Sequence, residues 1–234
     1  MPHDPATPPP LDGRRDGLAY TLFLPEGEPA GGVVVVHGAG SNRNSHADFA
    51  VRARAAGLVA CTFDARGHGA SDGLFGPGAF EDVLTMAALV REHAPTVALR
   101  GSSLGGFCAI HAAVLDPAVV AVVAICPAPE ELLRVGLEAG VFEAMRVDVE
   151  AASAWLQSAD LRGAVEALGP DTALMLVHAE GDEAVPVEVS RELHAAAHEP
   201  KRLLIAPGGD HRSAQHDPAL QDATIAFIRE RFAA

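Results

Sequence analysis

Lysine is almost missing from this 234-residue sequence: Lys201 is the only one, and it stands just ahead of an apparent strand. That placement speaks against Schiff-base chemistry, and no G-x-x-x-x-G-K-[ST] phosphate loop is present. Positive charge is scarce overall. Lys and Arg total 17 against 31 Asp and Glu, for a net charge of −14 and a pI near 5.1. Phosphate binding calls for clustered cations, so no nucleic-acid partner is expected. Aromatic residues make up 5% of the chain, too few for a base-stacking platform. Cys61, Cys108 and Cys126 lie in apolar segments without C-x-x-C spacing and read as reduced core residues. The longest apolar run, Ala118 to Cys126, is too short to span a bilayer, so no membrane partner is expected. The opening MPHDPATPPP has neither a basic n-region nor an apolar stretch. It reads as a disordered leader over 1–10 rather than a secretory signal, and a cytoplasmic location is expected.

What the sequence does contain is alternation. Strand-like runs occur at 18–24, 33–37, 58–63, 97–102, 119–125, 173–178 and 202–206, most of them unbroken Val, Ile, Leu and Ala. Such runs suit strands covered on both faces of a parallel sheet. Helical patterns lie between them, near 46–56, 79–94, 104–115, 187–197 and 218–232. This predicts an α/β fold, a mostly parallel twisted sheet with helices on both faces and right-handed crossovers. The first strand is expected to pair antiparallel with a short one near 10–14. The interval 127–171 has no strand candidate, only helix-compatible sequence. Two ordinary crossover helices would fit there, but its length favours a small helical cap above the carboxyl edge of the sheet. No repeat or internal linker appears, so residues 1–234 read as one domain.

The sharpest local signal is Gly101-Ser102-Ser103-Leu104-Gly105, a G-x-S-x-G at the end of one expected strand and the start of a helix. A serine on such a tight turn has its hydroxyl pushed out at the top of the sheet. Ser103 is the centre, because shifting the frame would need glycine at Arg100. A serine nucleophile needs a base, and the base an orienting group. Asp182 follows the strand ending at His178, and His211 follows the last strand, giving the order Ser, Asp, His. Glu180 and Glu183 flank Asp182 as alternative acids. Asp210, next to His211, reads as a loop cap. His37 and His68 read as braces of loop backbone. His194 and His198 are spaced like a metal pair but lack the glutamate of H-E-x-x-H, and Gly67 to Gly73 fails as a dinucleotide fingerprint because no helix opens after it.

Four motifs in order, each after an expected strand, make the chain resemble the α/β-hydrolase superfamily, and within it the short-capped carboxylesterases and serine aminopeptidase-like hydrolases. H-G-x-G matches His37, Gly38 and Gly40. D-x-R-G-x-G-x-S matches Asp64, Arg66, Gly67, Gly69 and Ser71. H-G-x-x-D-x-x-V-P matches His178, Asp182, Val185 and Pro186, with Ala179 in place of the usual glycine. The resemblance spans residues 33 to 232. It implies Ser103 as nucleophile, His211 as general base and then acid, Asp182 as orienting carboxylate, and the N–H groups of Ala39 and Leu104 as oxyanion hole. Phe142, Met145 and Trp155 are candidates for an acyl pocket, with packing on the sheet as the alternative.

The function expected from this set is hydrolysis of small carboxylic esters through an acyl-enzyme, on a small-molecule acyl substrate, with no metal and no organic cofactor. A peptidase or amidase and an acyltransferase would use the same triad, and Glu130, Glu131, Glu138 and Glu143 would be the acids for holding an amino terminus. A ligand-binding homologue without turnover is the reading from another class. Serine at position 103 speaks against haloalkane or epoxide chemistry. No feature of the sequence points to an oligomeric state.

Overall fold

The structure, a computed structural model, describes residues 8–234. Most of the expected leader, residues 1–7, lies outside them. Eight strands form one sheet: β1 (Leu11–Arg15), β2 (Leu18–Phe23), β3 (Gly31–Val36), β4 (Leu58–Phe63), β5 (Val97–Ser102), β6 (Val119–Ile125), β7 (Ala173–Ala179) and β8 (Lys201–Ala206). Their order is β1-β2-β4-β3-β5-β6-β7-β8. β1 and β2 pair antiparallel, as expected, through a two-residue Asp16-Gly17 turn in which both residues have positive φ. β2 also meets β4 antiparallel, and every later pairing is parallel. The chain runs from β3 outward to β4 and returns to β5 on β3's other side. The loops after β3 and β5 therefore splay apart at a switch point, where open α/β sheets leave a crevice.

The helices are α1 (Ala47–Ala55), α2 (Ala79–Arg91), α3 (Leu104–Leu115), α4 (Glu130–Glu138), α5 (Val149–Gln157), α6 (Leu161–Ala167), α7 (Val187–Ala196), α8 (Ser213–His216) and α9 (Pro218–Phe232). Alternation along the strands sends side chains to two cores. Val33 and Val35 pack with Phe49 of α1 and with Ile225, Phe227 and Ile228 of α9. Val34 and Val36 face the other way, onto Val83 and Met86 of α2 and Phe107 and Ile110 of α3. Strands β3 to β7 thus bury both their faces, which is why they carry few polar residues. α9 begins sharply because Asp217 accepts bonds from the N–H groups of Ala219 and Leu220, with Pro218 at its first position.

The 127–171 interval holds three helices. Leu133, Leu137, Leu156, Leu161 and Val165 bury one side of this group in the same core as α2 and α3. Asp148 and Asp160 cap the starts of α5 and α6. Among the described residues no helix is long and apolar enough to cross a membrane. The three cysteines are buried and free.

Candidate active site

Ser103 stands between β5 and α3 at φ 53° and ψ −118°, a backbone that side-chain-bearing residues rarely adopt. The neighbours make room for it. A Cβ on Gly101 would overlap the Gly105 carbonyl, and one on Gly105 would overlap the carbonyls of Val36 and His37. Strand and helix therefore approach more closely than any other residue permits, and the turn between them is forced outward. The first bond inside α3 runs from the Phe107 N–H to the Ser103 carbonyl. The N–H of Leu104 precedes it and belongs to the unpaired first turn, at the positive end of the helix.

His211 sits on the loop between β8 and α8. Its Nδ1 is 2.8 Å from Asp182 Oδ2. The carboxylate is fully shielded from solvent and held on several sides. Its Oδ1 accepts the N–H groups of Ala184 (2.9 Å) and Val185 (2.8 Å), and His178 Nε2 lies 3.3 Å from Oδ2. Burial acts to raise this carboxyl. The hydrogen bonds from His178, His211, Val185 and Cys126 outweigh it and hold the group well below the usual carboxylate range. With Asp182 accepting, Nδ1 of His211 carries a proton, and the ring is oriented by that bond.

Two histidines hold the loop after β3. His37 Nε2 accepts the Ala65 N–H (3.1 Å), so its Nδ1–H donates to the Gly38 carbonyl (2.8 Å). His68 Nε2 accepts the Gly40 N–H (3.3 Å), and its Nδ1 contacts the Arg66 carbonyl. The rings meet edge to face at 4.8 Å. Burial, with His68 nearby, lowers His37 to about 4, so the ring is neutral and fit to accept. Asp64 adds bonds from the N–H groups of Arg43 and Ala70. The Ala39 peptide is thus fixed by its neighbours on either side.

These parts converge on a cavity of about 390 Å³. Ser103, His211, Ala39 and Gly38 line it; Leu132, Leu133, Val141 and Phe142 form an apolar wall, and Ser41, Arg212 and Gln215 are also on its surface. Among the described residues Ser103 Oγ makes no hydrogen bond, so any bond to His211 would form only as the reacting complex tightens. Phe142 lines this cavity. Met145 and Trp155 do not, and the acyl-pocket expectation for them is corrected. Met145 is buried in the core under the helices. Trp155 packs against Phe75, Phe80 and Phe107, at ring distances of 5.6, 5.1 and 6.1 Å.

Cys126, Asp182 and His211 each place one ligand atom within 4.8 Å of the others, a spacing a metal ion could use. Their bonding serves another purpose: Oδ2 and Nδ1 are already bonded to each other, and burial pushes the Cys126 thiol far up, keeping its proton. Asp210 accepts the N–H groups of Arg212 and Ser213 and caps the short helix, while His194 gives its carbonyl to Lys201 Nζ. Neither joins the cavity. The sequence reading missed His178 as a brace of Asp182, although its i, i+4 spacing was a usable signal. It also missed a buried set beneath Ser103: Ser102 Oγ lies 3.3 Å from His46 Nε2, His46 Nδ1 lies 3.5 Å from Arg100, and Arg100 donates to the Gln215 carbonyl (3.0 Å).

The family model described as serine aminopeptidase, S33, matches residues 27–158, more than half of the chain. The chain belongs to this family of α/β hydrolases. A second model, described as TAP-like protein, matches residues 148–231. Over 58 residues the chain is 34% identical to the uncharacterized protein YfhR of Escherichia coli (strain K12), a stretch covering 24% of this chain and 20% of that one. It therefore spans about a fifth of the length of the curated relatives it matches. Among solved structures it is similar to the α/β hydrolase GrgF from Penicillium sp. sh18, at 18% identity and TM-score 0.81, covering 97% of this chain and 99% of that one. Est1E from Butyrivibrio proteoclasticus with bound ferulic acid gives 19% identity and TM-score 0.77 over 96% and 100%. A thermostable carboxyl esterase from Bacillus coagulans gives 16% and 0.77 over 96% and 98%. At these identities the likeness establishes the fold.

Proposed function

We propose that this hydrolase is a serine esterase that cleaves small carboxylic esters through an acyl-enzyme. The observation that carries the reading is the outward-strained Ser103 on one cavity with His211, whose Nδ1 is bonded to the shielded Asp182. In this reading His211 Nε2 takes the Ser103 proton as Oγ attacks the ester carbonyl. The N–H groups of Ala39 and Leu104 receive the oxyanion, and the alkoxide leaves with the proton from His211. Water then repeats the sequence on the acyl-Ser103 ester, releasing the acid.

The family description raises an aminopeptidase as the rival. Such an enzyme must bind a substrate ammonium, yet among the described residues no Asp or Glu lines the cavity. Glu131 and Glu138 are ion-paired with Arg134, and Glu130 accepts the Leu161 N–H. That favours esters over peptides with free amino termini. A panel of 4-nitrophenyl esters from acetate to palmitate tests the reading, alongside aminoacyl 4-nitroanilides and fluorophosphonate labelling. The cavity predicts a maximum at short or medium chains and labelling at Ser103. A maximum at palmitate, or preferential cleavage of the anilides, would overturn it.

A further inference from the structure

The cavity wall has one feature that ester hydrolysis does not use. Arg212 follows His211 directly, lines the cavity, and is exposed. Among the described residues its guanidinium has no hydrogen bond or ion pair. Shortage of carboxylates is not the reason, since the chain has 31 acidic residues against 17 basic ones. Asp210, two residues away, spends its Oδ1 on the backbone N–H groups of Arg212 and Ser213. Glu183 accepts the His211 N–H instead. Most arginines elsewhere are ion-paired, as in Arg14 with Asp72, Arg66 with Asp82 and Arg91 with Asp116; Arg229, on α9, has no pair among the described residues either, but it does not line the cavity. Among the described residues no other Lys or Arg lines the cavity, and no Asp or Glu does.

We propose that Arg212 is a substrate-binding residue, and that the ester cleaved here carries an anionic group, a carboxylate in its simplest form. The inference rests on the esterase reading and names the substrate class of that site. The cavity has two chemically distinct parts. Leu132, Leu133, Val141 and Phe142 accept a hydrocarbon portion; Arg212, Ser41 and Gln215 offer a charged donor beside polar neighbours. A guanidinium matches a carboxylate with two parallel N–H bonds. In a protein of net charge −14, long-range attraction would not draw in an anion. Selectivity for one must come from this local contact.

The carboxylate can belong to the acyl part or to the alcohol part, and two pairs of probes separate these. Mono-4-nitrophenyl adipate is compared with its neutral 5-carbamoylpentanoate analogue for the acyl side. 4-(Acetoxymethyl)benzoate is compared with the corresponding benzamide for the alcohol side. In one pair the wild-type protein should favour the anion in kcat/KM, and Arg212→Gln should reduce that ratio about fivefold. Arg212→Lys should restore part of it. Arg229→Gln, which removes an exposed cation on α9 away from the cavity, should leave the ratio at its wild-type value. Calorimetric titration of Ser103→Ala protein with adipic acid monoamide reads the same contact without turnover, and adding Arg212→Gln should weaken that binding by a similar factor. Cleavage of the neutral esters with both ratios unmoved by Arg212→Gln would overturn the subsite while leaving the esterase intact. Were no ester cleaved at all, the esterase reading would fall, and the calorimetric comparison would still decide the role of Arg212.

Discussion

Ser103 holds a backbone conformation that costs a side-chain-bearing residue on the order of 1–3 kcal/mol, and the surrounding close packing enforces it. Ser103→Ala should therefore keep the fold while kcat falls by about 10⁴–10⁶. Ser103→Gly should be equally inactive but melt higher than the alanine variant, because glycine accepts positive φ. Retention of a tenth of the activity in either would move the nucleophile elsewhere. The two aspartates near His211 give a second contrast. Asp182→Asn should lower kcat by about 10³–10⁴, since an amide can hold the wrong tautomer and cannot balance the imidazolium. Asp210→Asn should cost less than about tenfold, because an amide oxygen can still accept the N–H groups that Asp210 caps. If Asp210→Asn proves the crippling change, the acid has been misassigned.

At the level of elements, the cavity wall and the aromatic cluster around Trp155 call for opposite outcomes. Phe142→Ala should shift acyl-chain preference toward longer esters, because the ring lines the cavity. Trp155→Ala should leave the chain-length profile unchanged and destabilise the fold by less than the ~3–5 kcal/mol of a fully buried ring, since the half-buried indole packs against three phenylalanines. Specificity profiles and denaturation midpoints on both variants check this. The same contrast marks how far the sequence could be read. β4, β5, β6, α3 and α9 lie where the apolar runs and periodicity put them, because strands covered on both faces and capped helices leave plain marks. The Ser103 turn was legible for a similar reason: two glycines at fixed spacing have one steric use. Met145 and Trp155 were not, because hydrophobicity foretells burial but not which neighbours do the burying. The Arg100 and His46 pair was equally hidden. An arginine inside an otherwise apolar strand gives no sign that its partners lie 54 and 115 residues away.

Over the whole molecule, acid stability should follow the buried histidines. Burial lowers His37 to about 4 and lowers His46 well below the ordinary value; His68 and His111 also fall below it, chiefly through burial. Each resists protonation in the folded chain more than in the unfolded one, where it protonates near pH 6.5. The unfolded state then binds more protons below that pH. The stability these groups contribute is complete above about pH 6.5 and is lost as pH falls toward the folded values. Between pH 6.5 and 5, where most carboxylates remain charged, His37 alone should remove up to about 1.4 kcal/mol per pH unit, and the other three act in the same direction. Denaturant titrations across that window should give an unfolding free energy that declines steadily with acid, and a flat profile would mean that these rings are protonated in the fold.

Arg100 has a consequence of its own. Its guanidinium, 3.9 Å from the Phe49 ring centre, stays inside the protein although burial lowers it to about 9. From a central strand, three positions before Ser103, it grips the carbonyl of Gln215, four positions after His211. A surface loop of this kind ordinarily opens and recloses far more often than the sheet beneath it. Here the loop is latched to the slowest part of the molecule. Amide deuteration should then find the α8 backbone exchanging on a timescale approaching that of β5 rather than that of the neighbouring loops. Replacing Arg100 with methionine should release the loop to exchange early, so that the serine and the histidine keep separate time although each remains in its own place.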